Sequence, residues 1–354
     1  MDPPVGGSAT ARVETTAGAW TAPPLHRRLG RRLRREVGRR YCLDVGRDHT
    51  SAIFLAGSGR SGTSWLAEVL NHRNEYHYVF EPFHPPQYDS PVPIQVGLPS
   101  CAAFTYHLYL RPDNAERRYL EPAARVLAGK ARSRWTEQFN QRAVATRRIV
   151  KEVTANLLLP WFNAHFPGMP IVLMLRHPCA VAASRGSLKW DARWDMVLDR
   201  VLRQTELLED VAGPFMDLFE GATKYVEKQV LMWCLDNAVP LRLLRHDQVK
   251  VVFYEELVAN PEEQIPRLYS FLGKPVEPSV YDAMRWPSLL SDWNSLALKG
   301  ASRTASWRAR LDASEVRRAL SILAAFGLDA IYSDDPMPNP SGLPALRQAT
   351  AGAC

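Results

Sequence analysis

Short apolar runs and longer segments with helical periodicity alternate along this chain of 354 residues. The runs favour buried strands because they are brief, continuous and rich in β-branched and aromatic residues. The segments between them repeat apolar residues at intervals of three and four, which is typical of helices. Strands separated by helices indicate crossover connections and parallel pairing. We therefore predict an α/β fold with three layers, in which helices flank a mainly parallel central sheet.

Five strands and six helical segments follow from this pattern. The strands are the segments SAIFLAG, EYHYVF, RRIVKEVT, MPIVLMLRHP and QVKVVFYEEL. The fourth is apolar throughout, which predicts a central position, and the fifth is predicted to be buried as well. The helices are predicted at 61–73, 113–142, 156–166, 179–187, 196–246 and 261–273. The proline-rich segment 82–102 lacks a period and is predicted to be a long functional loop.

The N-terminal region divides into a tail and a basic segment. Residues 1–24 are rich in proline, glycine, alanine and threonine, and we predict a disordered tail. Residues 25–48 include LHRRLGRRLRREVGRRY, where apolar residues recur every fourth position among arginines. This pattern predicts an amphipathic basic helix that packs its stripe on the domain or rests on an anionic surface. We favour packing, keep weak membrane contact through 25–41 as the alternative, and expect no nucleic-acid partner.

Composition narrows the class of protein. Hydrophobic residues make up 46% of the chain and charged residues 23%, as in ordinary globular proteins. We expect one domain over 49–335, a flexible tail over 336–354, and a soluble cytoplasmic protein, because no apolar run would cross a bilayer. The five cysteines are widely spaced, which predicts neither a disulfide framework nor a metal site. The net charge of +7 comes mostly from arginine, which suits an anionic ligand but also follows from GC-rich coding.

A glycine-rich loop, GSGRSGTSWL, joins the first strand to the first helix. Gly57 and Gly62 have the spacing of a phosphate-binding loop, and a helix N-terminus after such a turn binds anions. Nucleoside triphosphatases carry a lysine at the next position, where this chain has Thr63. The nearby cation is Arg60. We therefore predict an anion on the 5′ side of a nucleotide that is shorter than a triphosphate, with Arg60 at its end.

A second anion-binding pattern lies in the segment LRHPCAVAASR. Arg176 ends the fourth strand, and Ser184 follows eight positions later on the next helix. Together they supply one bidentate cation and one hydroxyl group, which is what a phosphate group needs. Taken alone, the spacing is also that of a surface arginine and a serine in a helix interior.

Both segments resemble the nucleotide-binding motifs of sulfotransferases that use 3′-phosphoadenosine 5′-phosphosulfate (PAPS). The resemblance implies a P-loop-type sulfotransferase fold, PAPS as co-substrate and no metal. It implies that Arg60 contacts the sulfuryl group and that Arg176 and Ser184 bind the 3′-phosphate. It further assigns the 5′-phosphate to Ser61, Gly62, Thr63 and Ser64. Trp65 would stack on adenine, or it is a core aromatic residue, and the two roles are compatible.

Two further segments resemble the same family more loosely. VVFYEEL is similar to a strand-end segment in which a tyrosine lies near adenine, which implies that role for Tyr254. LKGASRTASWR stands where some members carry a basic loop over the 3′-phosphate. The candidates in that loop are Lys299, Gly300 and Arg303.

Candidate catalytic residues follow the second and third strands. Transfer of a sulfuryl group to a hydroxyl requires a base that removes the acceptor proton. Glu81, in a segment FEP that resembles the carbohydrate-modifying branch, is the predicted base. His84 is the alternative base or a loop residue that only bonds backbone, and we favour the latter. Lys151 would stabilise the leaving group, as in relatives, or it is a lysine that reaches out from a strand end.

These patterns predict a sulfotransferase that acts on a hydroxyl of a sugar, a glycosylated metabolite or another small molecule. The alternatives are a P-loop kinase or ATPase and a non-catalytic protein that binds membrane surfaces. The loop 82–102 and several tryptophans are predicted to line the acceptor pocket. These tryptophans, which core packing would also explain, are Trp190, Trp194, Trp286 and Trp293.

Overall fold

A parallel five-stranded sheet forms the centre of the molecule. The computed structural model describes residues 25–85, 97–186, 197–290 and 302–346. The strands are β1 (Leu43–Asp44), β2 (Ala52–Ala56), β3 (His77–Phe80), β4 (Val144–Ala145), β5 (Arg148–Glu152), β6 (Ile171–Leu175) and β7 (Lys250–Phe253). The main sheet has the order β3-β5-β2-β6-β7 with every neighbouring pair parallel, and β1 pairs separately with β4. This topology confirms the predicted parallel sheet.

Helices connect the strands and cover both faces of the sheet. They are α1 (Leu25–Arg40), α2 (Thr63–Leu70), α3 (Arg117–Leu127), α4 (Leu159–His165), α5 (Pro178–Gly186), α6 (Thr205–Leu207), α7 (Met216–Glu220), α8 (Tyr225–Leu243), α9 (Tyr254–Ala259), α10 (Pro261–Phe271), α11 (Ser279–Met284) and α12 (Ala313–Ala325). Residues 197–201 are also helical, and Leu208–Ala212 forms a π-helical turn. Short 3₁₀ turns lie at His49–Ser51, Pro99–Cys101, Asn156–Leu158, Gly213–Phe215, Ser306–Ala309, Leu328–Ala330 and Pro340–Gly342.

Side chains of the central strands alternate between two hydrophobic layers on opposite faces of the sheet. On one face Phe54 packs against Phe162 of α4, with ring centroids 4.6 Å apart. On the other face Leu55 lies in a cluster with Trp65 and Leu66 of α2. Burying one large apolar side chain contributes about 1.5–3 kcal/mol. The two layers therefore hold helices on both sides of the sheet, which gives the three predicted layers.

Several predicted boundaries differ from the structure. Within 113–142 only α3 is helical, because Gly129 adopts a φ of 70° just after it and side-chain contacts fix the following turns. The predicted helix 25–48 ends at Arg40, because β1 follows and pairs with β4. Strand β7 lies at the sheet edge, so its first two residues are only half-buried.

The described part of the predicted C-terminal tail is packed against the domain. The backbone N–H of Asn339 donates to the carbonyl of Ile331 at 2.7 Å. Gly342 lies so close to Ala330 that an added Cβ would stand 2.1 Å from its carbonyl oxygen. Leu346 is 6% exposed. The segment 336–346, which we expected to be flexible, thus packs against the domain through Asn339, Gly342 and Leu346. Residues 347–354, like the predicted tail 1–24, lie outside the described part.

Helix α1 contacts the domain through polar groups rather than through its apolar stripe. Arg31 Nη2 donates to Glu68 Oε2 of α2 at 2.7 Å. Farther along, Asn140 Nδ2 donates to the Gly38 carbonyl at 3.1 Å, and an added Cβ at Gly38 would stand 2.8 Å from the Asn140 carbonyl oxygen. The docked face of α1 is therefore the face of Arg31 and Gly38.

The apolar stripe of α1 is largely exposed instead of packed on the domain. Its exposed fractions are 58% for Leu29, 69% for Leu33, 44% for Val37 and 72% for Tyr41, which follows the helix. We expected this stripe to pack on the domain, and that expectation is wrong. The reason is geometric, because Leu29 and Leu33 lie on the side of the helix opposite Arg31, while Val37 borders a shallow groove beside the domain.

A buried carboxyl group ties β7 to the C-terminal region. Glu255, which follows β7, accepts a hydrogen bond from the His177 backbone N–H at 2.8 Å and one from the Tyr332 hydroxyl at 3.1 Å. Burial raises the pKa of Glu255 from 4.5 to about 7. The native protein therefore binds this proton more tightly than the unfolded chain does. The resulting stability is present in full below pH 4.5 and is lost as the pH rises to about 7.

We expect Glu255→Gln to remove this part of the pH dependence, because the amide keeps the volume and cannot ionise. The free energy of unfolding should fall less steeply between pH 4.5 and 7 than in the native sequence. Burial also lowers the pKa of His177 to about 4. His177 titrates in both proteins, so its contribution cancels when the two stability curves are compared. Denaturant unfolding at a series of pH values checks the prediction, and parallel curves for the two proteins contradict it.

Candidate active site

The glycine loop joins the carboxyl end of β2 to the first turn of α2. A Cβ at Gly57 would stand 2.5 Å from the Met174 carbonyl oxygen. Gly62 has a φ of 96°, and a Cβ there would stand 2.7 Å from the ring of Tyr254. Neither position tolerates a side chain without movement of its neighbours. The loop is therefore packed closely between β6 and α9, with the N-terminus of α2 behind it.

Arg60 links the two predicted anion-binding segments. It has a φ of 76°, a left-handed conformation that costs a residue with a Cβ about 1–3 kcal/mol and is concentrated at functional sites. Its Nε donates to Ser184 Oγ at 3.1 Å. Arg176 Nη1 donates to the Arg60 backbone carbonyl at 3.0 Å. The structure therefore brings Arg60, Arg176 and Ser184 together at one point, as a shared nucleotide site requires.

Two buried polar atoms beside this junction have no hydrogen-bond partner among the described residues. They are Ser61 Oγ and Arg176 Nε. Both Nη atoms of Arg176 are hydrogen-bonded, since Nη1 donates to the Arg60 carbonyl and Nη2 donates to the Arg303 carbonyl at 3.3 Å. A buried polar group without a partner costs about 1–3 kcal/mol. A ligand with anionic oxygens would remove that cost, so both atoms indicate a binding site.

The aromatic residues predicted near adenine lie beside this junction. Trp65 and Tyr254 meet edge to face, with ring centroids 5.6 Å apart, and are only 4% and 5% exposed. The Arg303 guanidinium lies 5.1 Å from the Trp65 ring, and that of Arg176 lies 4.5 Å from the Tyr254 ring. Trp65 thus fits the core interpretation here, and its stacking on adenine stays a prediction. Lys299 and Gly300 lie outside the described residues.

Arg185 is a buried arginine at the loop, and the sequence analysis missed it. Its Nε donates to the Gly59 carbonyl at 3.1 Å, and its Nη1 donates to Gln229 Oε1 at 2.9 Å. Burial lowers the pKa of its guanidinium. The residue directly follows Ser184 in the predicted motif, which is the signal that would have found it. Arg185 therefore adds positive charge behind the loop.

The buried side chain of Asp236 on α8 supports the glycine loop, an arrangement we call the brace. Ser58 Oγ donates to Asp236 Oδ2 at 3.0 Å, and His107 Nδ1 lies 2.6 Å from Asp236 Oδ1. His107 has a φ of 50°, so its backbone is also held in the left-handed region. Sequence reasoning missed this brace because nothing in the pattern of this mostly buried helix distinguishes Asp236 from its other polar residues. Asp236 thus fixes the glycine loop to the segment that carries His107.

Glu81 and Lys151 form an ion pair at the carboxyl edge of the sheet. Lys151 Nζ donates to Glu81 Oε1, and both residues are buried. Glu81 has a φ of 42°, which turns the chain sharply after β3. Phe80, Lys151 and Leu55 are aligned across the three strands. Because neighbouring strands lie about 4.8 Å apart, Glu81 stands roughly 10 Å from the start of the glycine loop.

Glu152 holds the turn that carries Glu81, and sequence reasoning missed it too. Its Oε2 accepts the Phe83 backbone N–H at 2.9 Å, and its Oε1 accepts the Val153 N–H at 2.8 Å and both donors of Thr154. Burial, with a further contribution from the charge of Glu81, raises the pKa of Glu152 to about 7. The signal in the sequence is the pair KE at the end of a buried strand.

Comparison with known proteins identifies the family. A sequence model described as "Sulfotransferase family" matches residues 52–278, which is more than half of the chain. The chain belongs to the sulfotransferase family. The match confirms the resemblance to this family, and it spans both the glycine loop and the strand–helix segment around Arg176. A search of curated proteins found no match.

Solved structures of sulfotransferases match the chain at low identity. SULT7A1 from mouse, complexed with PAP, is 16% identical, with 86% of this chain and 91% of that chain covered and a TM-score of 0.42. STF9 from Mycobacterium avium is 15% identical, with 80% and 76% covered and a TM-score of 0.43. The sulfotransferase domain of the Synechococcus PCC 7002 olefin synthase is 17% identical, with 78% and 94% covered and a TM-score of 0.42. The parallel sheet and the family match together give this sulfotransferase an α/β fold of the P-loop type.

His84 of this sulfotransferase is held by protein groups at both ring nitrogens. Its Nδ1 lies 3.0 Å from the Pro85 carbonyl, and its Nε2 lies 3.1 Å from the Tyr106 hydroxyl. Burial lowers the pKa of His84. The neutral ring thus donates from Nδ1 and accepts at Nε2. This arrangement favours a loop residue over a base, and Glu81 is the stronger candidate.

One group of potential metal ligands lies away from this site, before the amino ends of β2 and β5. Cys42, His77 and Glu137 offer ligand atoms within 4.8 Å of one another. His77 Nδ1, however, lies 2.8 Å from Asp44 Oδ2, and its Nε2 lies 2.9 Å from Glu137 Oε1. Burial alone would lower the pKa of His77, but hydrogen bonds to these groups raise it to about 11. His77 in this cluster is therefore a buried, protonated imidazolium between two carboxylates, and a protonated ring nitrogen does not bind a metal ion.

The brace of Asp236 gives a testable expectation about stability. In Asp236→Asn one hydrogen bond to Ser58 or His107 is lost, because the amide accepts through a single oxygen. We expect the free energy of unfolding to fall by about 1–3 kcal/mol. Urea unfolding measures the change, with Asp247→Asn at an exposed acidic position as the matched control. Equal stability of the two variants contradicts a structural role for the brace.

Proposed function

We propose that this sulfotransferase transfers a sulfuryl group from PAPS to a hydroxyl of a sugar, a glycosylated metabolite or another small molecule. One observation carries the proposal. Arg60 and Ser184 meet beside two buried polar atoms, Ser61 Oγ and Arg176 Nε, that lack partners among the described residues. Such a site suits a nucleotide with an anionic group at each end, which is what distinguishes PAPS from a simple nucleotide.

The residues of the loop fit the 5′ end of this donor. Gly57 and Gly62 let the backbone approach closely, and the N-terminus of α2 favours a negative charge. Ser61, Gly62, Thr63 and Ser64 would hold the 5′-phosphate through backbone N–H and hydroxyl groups. Thr63 in place of the lysine of nucleoside triphosphatases fits a donor without a γ-phosphate. Arg60 would bind the sulfuryl end.

The residues of the second segment fit the 3′-phosphate. Arg176 has its Nε available and is fixed by two backbone carbonyls, so little reorganisation is needed on binding. Ser184 offers its hydroxyl from α5. Tyr254, with Arg303 next to it, would lie near the adenosine. Lys299 and Gly300 are proposed for the same phosphate on the strength of the sequence alone.

The chemistry then falls to Glu81, Lys151 and Arg60. PAPS supplies a sulfuryl group attached to a phosphate leaving group. Glu81 Oε2 takes the proton from the acceptor hydroxyl as the new oxygen–sulfur bond forms and the bond to the phosphate breaks. Lys151 orients Glu81 through Oε1 and, with Arg60, offsets negative charge on the departing phosphate. Glu152 holds the turn that positions Glu81.

The surroundings of Glu81 support a sugar-like acceptor. Trp135 Nε1 donates to the Glu81 carbonyl at 3.1 Å, so a half-buried indole lies directly beside the proposed base. The ring of His84 lies 5.4 Å from it. Aromatic rings with polar edges bind the apolar faces of sugars as well as other small molecules. We therefore propose a carbohydrate or glycosylated acceptor first, with apolar natural products as the second class.

Nucleotide titration tests the proposed donor class. We expect 3′-phosphoadenosine 5′-phosphate to bind more tightly than ATP, with or without magnesium, because two ends of the ligand are held. Arg176→Ala should weaken this bisphosphate by roughly tenfold or more, the value of one charge-assisted contact, and adenosine 5′-phosphate far less. Calorimetry measures both, with Arg117→Ala on the exposed face of α3 as control. Preference for ATP with magnesium, or equal losses for both nucleotides, contradicts the proposal.

Substitution of the proposed base tests the chemistry. Glu81→Gln keeps the shape of the side chain and should lower kcat by roughly 10²–10⁴-fold, the contribution of a general base. Bisphosphate affinity should stay close to that of the native protein, because Glu81 does not touch the nucleotide. Activity is measured by transfer of radiolabelled sulfate to a panel of sugars and hydroxylated small molecules. His84→Asn is the matched variant, and a larger loss of kcat there than in Glu81→Gln assigns the base to His84 instead.

A further inference from the structure

We propose that α1 and the adjoining strand β1 dock this protein onto an anionic lipid bilayer. The proposal does not depend on the proposed function, since it concerns a surface away from the glycine loop. Nor does it involve a transmembrane segment, because no described helix is both long and apolar enough to cross a bilayer. The occupant we infer is the headgroup and upper acyl region of acidic phospholipids.

The apolar part of this surface is a row of large exposed side chains. It begins with the stripe of α1, passes through Tyr41, and continues into β1 and β4. Asp44, the acidic residue within the β1 part of the row, has a fully buried side chain paired with Arg148, so it presents no charge at this surface. Contiguous exposed apolar patches of this kind mark sites of association with proteins or membranes. The continuing apolar residues are Leu43, Val45 and Val144, which are 62%, 51% and 54% exposed.

The charge of this surface is strongly positive. Helix α1 contains eight arginines and one glutamate. Of these, Arg31 is bound to Glu68, and Glu36 pairs with Arg39 at 3.2 Å. An apolar stripe flanked by cations is complementary to a bilayer that carries acidic headgroups. The exposed arginines on both sides of the stripe are Arg28, Arg32, Arg34, Arg39 and Arg40.

A shallow groove beside the stripe combines both properties. It has a volume of about 440 Å³ and lies between α1 and the segment that leads into β4. Leu33, Val37 and Val144 supply its apolar wall, and Arg34 and Arg142 supply its cations. This lining suits a phosphate headgroup next to the start of an acyl chain.

The other candidate occupants match only part of this surface. A nucleic acid would neutralise the arginines but leave the leucines in water. A second copy of α1 would cover the leucines but oppose arginine to arginine. Residues 1–24 contain two acidic residues and one arginine, with few apolar side chains, so they match neither property. An anionic bilayer matches both.

Docking through this surface is compatible with turnover. Strands β1 and β4 directly precede the amino ends of β2 and β5, whereas the glycine loop follows the carboxyl end of β2. The docked end of the sheet is therefore opposite the proposed active site. Substitutions on the surface should leave transferase activity toward a water-soluble acceptor unchanged.

Vesicle cosedimentation of the full chain tests the proposal. We expect binding to vesicles of phosphatidylcholine mixed with phosphatidylglycerol, and much weaker binding to phosphatidylcholine alone. The double variant Leu33→Ser with Val37→Ser should lose about tenfold or more in affinity, and so should Arg32→Glu with Arg34→Glu. All four side chains are exposed, and thermal unfolding verifies that the variants stay folded. Leu243→Ser and Arg117→Glu, exposed at other helices, are the matched controls and should bind like the native sequence.

Four results would overturn the proposal. The first is equal binding to the two kinds of vesicle, or binding to neither. The second is loss of binding in the control variants as well. The third is binding of an RNA or DNA oligonucleotide that depends on Arg32 and Arg34 but not on Leu33 and Val37. The fourth is a dimer, seen by sedimentation equilibrium without vesicles, that the leucine and valine substitutions abolish.

Discussion

The contact between Arg60 and Ser184 is the interaction on which the candidate site depends. It joins the loop after β2 to the helix after β6, so two segments far apart in the chain face one ligand. Arg176 strengthens the junction from the end of β6 by binding the carbonyl of Arg60 itself. Because carbonyls rather than carboxylates hold Arg176 here, its positive charge remains available to an anion. The left-handed backbone conformation of Arg60 is unfavourable by itself, and the surrounding contacts offset its free energy.

The end of the site where we propose acid–base chemistry obeys a different constraint. Glu81 and Glu152 are both buried at the carboxyl edge of the sheet, with Lys151 next to both of them. Ionising both carboxyl groups costs free energy, because both are buried and one ammonium group balances only one negative charge. Burial accordingly raises the pKa of Glu152 to about 7. Glu152, which accepts four hydrogen bonds, holds the turn. Glu81, which contacts Lys151, is the residue proposed for the chemistry.

The two ends of the sheet therefore serve different purposes. At the carboxyl end, glycine, arginine and hydroxyl groups come together at the proposed site of an anionic ligand. At the amino end, Arg148 and His77 are paired with Asp44 and Glu137, so their charges are balanced within the protein. The arginines of helix α1 take no part in this network, and most of them are exposed together with the apolar stripe. The proposed membrane contact and the proposed chemistry can thus operate independently.

The sequence by itself determined the α/β class, the parallel sheet and the two segments proposed to bind anions. Strand and helix periods are local, and the glycine loop with Arg60 and the segment with Arg176 and Ser184 are contiguous patterns. Only the tertiary structure decided what depends on contacts between distant segments. It joined Arg60 to Ser184, added Arg185 and the brace of Asp236, and paired Glu81 with Lys151. It also turned the stripe of α1 outward, because a helical period shows that a face is apolar but not what that face meets.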